Sequence, residues 1–105
     1  MAAYVVMDLD VADEEGYAAY ARLAGPTVTR FGGRLLVAGV RPPTLEGDWR
    51  PGRLAVLAFE SVERATAWYD SEEYRPAREL RRRVARTNAV VVAAATPAAT
   101  DGRSD

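Results

Sequence analysis

Neither cysteine nor histidine occurs anywhere in the 105 residues. Their absence excludes thiolate chemistry, imidazole general-base catalysis, a structural zinc site and a histidine-ligated haem. Lysine is missing as well, all fourteen basic residues being arginine. We read this first as the spelling of a GC-rich genome, since nothing in the guanidinium's advantages requires it at every position. Long hydrophobic runs are lacking too: no segment approaches the length of a membrane span, and the start, MAAYVVMDLDV, has neither a basic n-region nor a signal-peptide core. A cytoplasmic protein without a membrane partner is expected. Excess charge is scarce, the formal net charge being -1, which argues against general affinity for nucleic acid, whose phosphates require a basic footprint. No glycine-rich nucleotide fingerprint opens a helix after a strand, and the carboxylates show no calcium-loop spacing, so neither cofactor nor metal is expected. Carboxylates, tyrosines and arginines are left to carry any chemistry.

What is present is an apolar half, 49% of residues, enough for one domain with a thin core that a second copy would help to cover. The organising stretch is 46–74. Residues 54–59 form an apolar run of strand length, Ser61 is a good N-cap, and Val62, Ala65, Trp68 and Tyr69 recur at the spacing of one helical face. Trp68 and Tyr69 are consecutive, so they point about 100° apart, and Trp68 is expected to be the more buried.

Along the chain, residues 3–9 alternate as a first strand, with Val5, Met7 and Leu9 on one face and Tyr4, Val6 and Asp8 on the other. Asp13 is a plausible N-cap for a first helix, with Glu14 and Glu15 favourably placed in its first turn. Tyr17, Tyr20, Ala24, Val28 and Phe31 make its stripe. Gly25-Pro26 is expected to break or kink it, and Gly32-Gly33 to end it. Residues 34–40 are a second strand. Residues 41–52, with three prolines and two glycines, form a loop long enough to serve as a binding loop or dimer contact. Within it Glu46 is the carboxylate to single out, either as a turn residue paired with an arginine or as an acid or base. Pro76 suits the first turn of a short third helix whose buried face is Ala77, Leu80 and Val84. The arginines at 78, 81, 82, 83 and 86 are read as a solvated face in preference to a phosphate patch. Residues 88–95 make the last strand, and the small, polar tail at 97–105 is expected to be disordered. The domain is thus 1–95, followed by a tail from 96.

The order strand, helix, strand, strand, helix with a helical appendage, strand is a split βαβ, ferredoxin-like α+β pattern. Its antiparallel sheet covers the helices with one face and leaves the other bare. Val6, Leu36, Ala38 and one alternating set of 54–59 make that bare face too apolar to stay wet, which points to a homodimer meeting sheet to sheet.

With these features in view, the chain resembles the domain-of-unknown-function 1330 family within the dimeric α/β-barrel group. The resemblance runs from Tyr4 to Val92. It rests on Tyr17 and Tyr20, on Gly32-Gly33-Arg34, on Leu45-Glu46-Gly47, on Arg53 and Phe59, and on Ala65, Trp68, Tyr69, Ser71 and Tyr74 in this order. Val40 and Ala58 depart from the pattern, Ala58 standing where a glutamate is expected. The resemblance implies a dimer of ferredoxin-like protomers. By fold analogy it points to relatives among cofactor-free monooxygenases, isomerases and polyketide cyclases.

Two functions follow as expectations. One is a cofactor-independent enzyme acting on a hydrophobic, oxygenated small molecule, such as an aromatic or polyketide-like compound. Glu46 or Asp8 would move protons, Arg34 or Arg53 would steady an oxygen anion, and Tyr4, Tyr17, Tyr20, Trp68, Tyr69 and Tyr74 would position the substrate. The other is a non-catalytic ligand-binding or assembly module in which the same residues pack. Whether Glu46 and the arginines converge on an enclosed cavity discriminates between them.

Overall fold

The structure, a computed structural model, describes residues 2–95; the expectation for 97–105 lies outside the described residues. Seven elements follow in order: β1 (Ala3–Val11), α1 (Glu14–Arg30), β2 (Arg34–Val40), β3 (Arg53–Phe59), α2 (Val62–Asp70), α3 (Arg75–Val84) and β4 (Ala85–Ala93). The strands form one sheet in the order β2-β3-β1-β4, every neighbouring pair antiparallel. This is the ferredoxin-like split βαβ sandwich, with the helices on one face.

Alternation in β1 does what its pattern dictates. Val5, Met7 and Leu9 are buried under the helices, whereas Tyr4, Val6 and Asp8 stand on the opposite face and are only partly covered. At the start of α1 the Asp13 carboxylate accepts the Gly16 backbone N–H at 3.0 Å, which satisfies one of the otherwise orphaned donors. The expected break at Gly25-Pro26 does not occur, because α1 continues through Pro26 to Arg30. Pro26 is exposed, and the neighbouring turn gains two side-chain bonds: Thr27 Oγ1 donates to the Ala24 carbonyl and Thr29 Oγ1 to the Gly25 carbonyl. Gly32, at φ 79°, then stops the helix in a left-handed turn. Gly33 approaches the Phe59 ring so closely that a Cβ there would lie 2.5 Å from it.

Ser61 caps α2 through the Arg64 N–H at 3.0 Å. The helix turns Trp68 fully into the core, more deeply than Tyr69, as expected. Its ring packs 4.1 Å from Tyr74 and 5.4 Å from Phe59, centroid to centroid, and its indole N–H donates to Thr27 Oγ1 at 3.0 Å. Aromatic rings this close add attraction beyond the area they bury, and the indole N–H does not go unpaired.

Three local expectations need correction. The last strand begins at Ala85, directly out of α3, three residues before the expected 88. Ala85 is buried and paired with Val11, so the chain needs no connecting loop. Second, a bulge between Leu35 and Val37 shifts the register of β2, so Val37 pairs with Val56 and Ala38 with Ala55. One extra residue exchanges the two faces. Ala38 therefore lies on the helix side, with Ala55 and Met7, while Val37 joins Val56 and Val6 on the bare side. Third, the arginine run is not uniformly solvated. Arg82, Arg83 and Arg86 are exposed, but Arg81 is only 3% exposed, on the same stripe of α3 as Ala77 and Val84.

Candidate functional site

A cleft of about 330 Å³ lies between α1 and the inner face of the sheet. Tyr17, Tyr20, Ala24 and Val28 form its helical wall; Met7 and Leu57 are among the strand residues of its floor. It exists because the α1 stripe carries small residues at 21 and 24 between the tyrosines and Val28, which leaves space above β3 and β2. The lining is mainly apolar, and its polar side chains belong to Tyr17, Tyr20, Thr29 and Arg34. Among the described residues no carboxylate lines it. This volume sits at the lower end of the range usual for small-molecule sites.

Behind the tyrosines runs a hydrogen-bond chain. Arg81 donates to the Tyr74 hydroxyl at 2.7 Å, and the Tyr74 and Tyr20 hydroxyls lie 2.9 Å apart. A second guanidinium nitrogen of Arg81 donates to the Tyr69 hydroxyl at 3.4 Å. No carboxylate pairs with Arg81 among the described residues, and its Nε is buried without a partner. Two phenols, Tyr74 and Tyr69, thus take the place of a counter-ion.

The direction of the chain follows from its ends. A guanidinium only donates, so Tyr74 accepts from Arg81 and has one proton of its own to place. Tyr74 is fully buried, and the only other polar partner of its hydroxyl among the described residues is Tyr20. Were Tyr20 the donor, the Tyr74 proton would be stranded, at a cost of about 1–3 kcal/mol. Tyr74 therefore donates to Tyr20.

Burial pushes the Tyr20 phenol well above its ordinary pKa, and the neighbouring Tyr74 adds to the effect. Burial raises Tyr74 and Tyr17 as well, against the pull of nearby arginines. Tyr69 is the exception: burial again opposes ionisation, but the Arg81 and Arg82 guanidinium groups outweigh it and bring the phenol below its usual value.

The residues singled out in the sequence fall into five places. Tyr17, Tyr20 and Arg34 line the cleft. Arg34 stands at its edge, opening β2 opposite Ala58, a position of the bare face. Arg53 lies one ring away, stacked 4.6 Å from the Tyr17 centroid and paired with Glu14 at 3.0 Å. Trp68 and Tyr74 form the core behind the wall, with Tyr69 beside them. Tyr4 and Asp8 are on the bare face, where Asp8 accepts the Trp49 indole N–H at 2.8 Å and, with Asp10, Arg50, Arg86 and Asn88, lines a polar hollow. Glu46 is exposed on loop 41–52 and has no ion-pair partner among the described residues. Neither the arginine pairing nor convergence on a cavity is observed for it.

Sequence reasoning passes over Arg81 and Trp49. The spacing of Ala77, Arg81 and Val84, four and then three, already puts Arg81 on the buried stripe. No local signal marks Trp49, whose partner Asp8 is 41 residues away. Among the described residues, no group of three or more acidic side chains gathers as a metal site, and no helix is long and apolar enough to cross a membrane.

An antiparallel ferredoxin-like sandwich places the chain among small α+β proteins. Within that class, residues 2–95 match the family described as domain of unknown function (DUF1330), and the chain belongs to it. No curated protein matches the sequence. Among solved structures, it is similar to RPA0582, a protein of unknown function from Rhodopseudomonas palustris. The TM-score is 0.74 at 21% identity, over 91% of this chain and 84% of that one. It is similar to a point mutant of SnoaB, a cofactor-independent oxygenase from Streptomyces nogalater, at a TM-score of 0.64 and 15% identity, over 90% and 94%. A dimeric ferredoxin-like protein of unknown function from Bacteroides fragilis gives 0.56 at 9%, over 88% and 95%. At these identities the likeness establishes the fold.

Proposed function

We propose that this protein is a homodimeric, cofactor-independent enzyme that takes a hydrophobic, oxygenated, ring-sized molecule into the cleft beneath α1. The observation that carries this reading is the cleft itself, an apolar space of about 330 Å³ whose wall includes the phenols of Tyr17 and Tyr20. The resemblance in fold to a cofactor-independent oxygenase supports an isomerase, cyclase or monooxygenase chemistry. Arg34 at the rim, or Arg53 behind Tyr17, supplies positive charge for an oxygen anion. Glu46 carries the proton, which requires loop 41–52 to move; Asp8, the other carboxylate considered, stands on the face that the second copy covers.

The second copy covers the bare face. Leu36, Val37, Val90 and Val92 are all more than two-fifths exposed in the protomer, an apolar extent that favours burial against a like surface. Light scattering at micromolar concentration is expected to give twice the chain mass. Val90→Glu should give the single chain mass with the far-UV spectrum intact, and a wild-type monomer would contradict the dimer.

One observation favours a second reading, a non-catalytic binding module: among the described residues no carboxylate lines the cleft. The experiment is incubation of purified protein with aromatic ketones, quinols and polyketide-like compounds, followed by mass spectrometry and oxygen uptake. A product lost in Glu46→Gln but kept in Asp8→Asn supports the enzyme with Glu46 as its carboxylate. Tight binding with no product supports the module.

A further inference from the structure

We infer that Tyr20 is the hydrogen-bond donor the cleft offers to a carbonyl or enolate oxygen, and that Arg81, relayed through Tyr74, fixes that polarity without touching the ligand. The inference rests on the cleft being the binding site and adds to it the chemical feature the ligand must present. Arg81 donates to Tyr74 at 2.7 Å, and the Tyr74 and Tyr20 hydroxyls lie 2.9 Å apart, with Tyr74 as the donor because its proton has no other acceptor among the described residues. Once Tyr20 accepts from Tyr74, its own proton has no acceptor among the described residues. Tyr20 is 6% exposed and lines the cleft, so the remaining place for that proton is the cleft or a molecule within it.

A donor sunk in an apolar wall discriminates. A ligand with an acceptor oxygen satisfies the phenol, whereas a hydrocarbon of the same shape strips it of water and gives nothing in return. Charge behind the relay strengthens the effect, because a hydrogen-bonded chain that begins on a cation polarises each following O–H. The high pKa that burial gives Tyr20 keeps the proton on the phenol at neutral pH. The site therefore selects ketones, quinones and enolates, and in an enzyme it would steady a developing oxygen anion. Arg81 is a positioning residue in this scheme. With Arg81 replaced, Tyr74 is no longer obliged to donate towards Tyr20; the chain is free to reverse, and Tyr20 then turns only lone pairs to the cleft.

The test compares α-tetralone with tetralin, the same bicycle without its carbonyl, by calorimetric titration, and reads the carbonyl stretch of bound α-tetralone by infrared spectroscopy. Wild type should bind the ketone about tenfold more tightly than the hydrocarbon and shift its stretch to lower wavenumber. Tyr20→Phe should abolish both the preference and the shift and tighten tetralin binding, since no phenol is left to lose its water. Arg81→Met should reduce both with Tyr20 still in place, and if that variant does not fold, Tyr74→Phe carries the same test through a smaller infrared shift. Equal wild-type affinity for the two probes, or a preference that survives Tyr20→Phe, would overturn this inference and leave the cleft standing. Binding of neither probe at about millimolar concentration would overturn the cleft reading and this inference with it.

Discussion

The two faces of the sheet carry apolar side chains alike but dispose of them differently. On the helix side Val5, Met7, Leu9, Leu57 and Phe59 are buried, and the Arg81 guanidinium bonds there to buried phenols. On the bare side Val90 is 63% exposed, and the polar groups, Asp8, Asp10, Arg50 and Arg86, gather with loop 41–52 at one end. The difference separates two tasks. The covered face has a finished core with a gap beneath α1, which fits a small molecule, whereas the bare face is extended and unfinished, which fits another protein surface.

The largest expected effect is on the covered face. Trp68→Ala should cost roughly 3–5 kcal/mol in chemical denaturation, since it empties a fully buried site and removes the indole donor from Thr27. A loss well below about 1 kcal/mol would remove the contrast between the faces. Alkaline pH attacks the same region. Burial raises the phenols of Tyr20, Tyr17 and Tyr74, so the folded state keeps protons that the unfolded chain releases above about pH 10. The stability tied to them is whole below that pH and falls above it by about 1.4 kcal/mol per pH unit for each phenol that remains protonated in the fold. Tyr69, lowered despite its burial by Arg81 and Arg82, works in the opposite sense. Urea denaturation at pH 9 and pH 11 reads the net decline, and Tyr20→Phe should flatten it.

Smaller effects lie outside the core. Ser61→Ala removes the cap of α2 and should cost about 1 kcal/mol by the same denaturation assay. Glu14→Gln breaks the Arg53 pair, whose glutamate is 71% exposed, and should cost less than about 1 kcal/mol because solvent already screens it. A much larger loss would mean that Arg53 needs Glu14 to hold its stacking on Tyr17.

Much of this architecture is legible locally. The strand at 54–59, the Ser61 cap and the apolar stripe of α2 are short-range signals, and Asp13 and Gly32 mark the ends of α1 in the same way. Pro26 misleads because its cost is confined to one missing donor in an exposed turn that threonine hydroxyls reinforce. The Leu36 bulge is invisible to alternation, since a strand of apolar residues on both faces keeps no record of which set points inward. At the cleft, Tyr17 and Tyr20 could be named from helical spacing, but their link to Arg81 joins α1 to α3 across 54 residues between Tyr20 and Tyr74. Reading charges 78–86 as one run hides the single arginine that shares the buried stripe with Ala77 and Val84. Glu46 attracts attention as a lone carboxylate in a long loop, and only the tertiary structure separates it from the cleft.

The most direct measurement of the division between the faces is a map of backbone amide chemical shifts in the protein as α-tetralone is added. The largest changes should fall on Tyr17, Tyr20, Ala24, Gly33 and Leu57, around the cleft, with the amides of Tyr4, Val6, Val90 and Val92 nearly unmoved. Changes concentrated on the latter set would place the small molecule on the bare face and contradict the account.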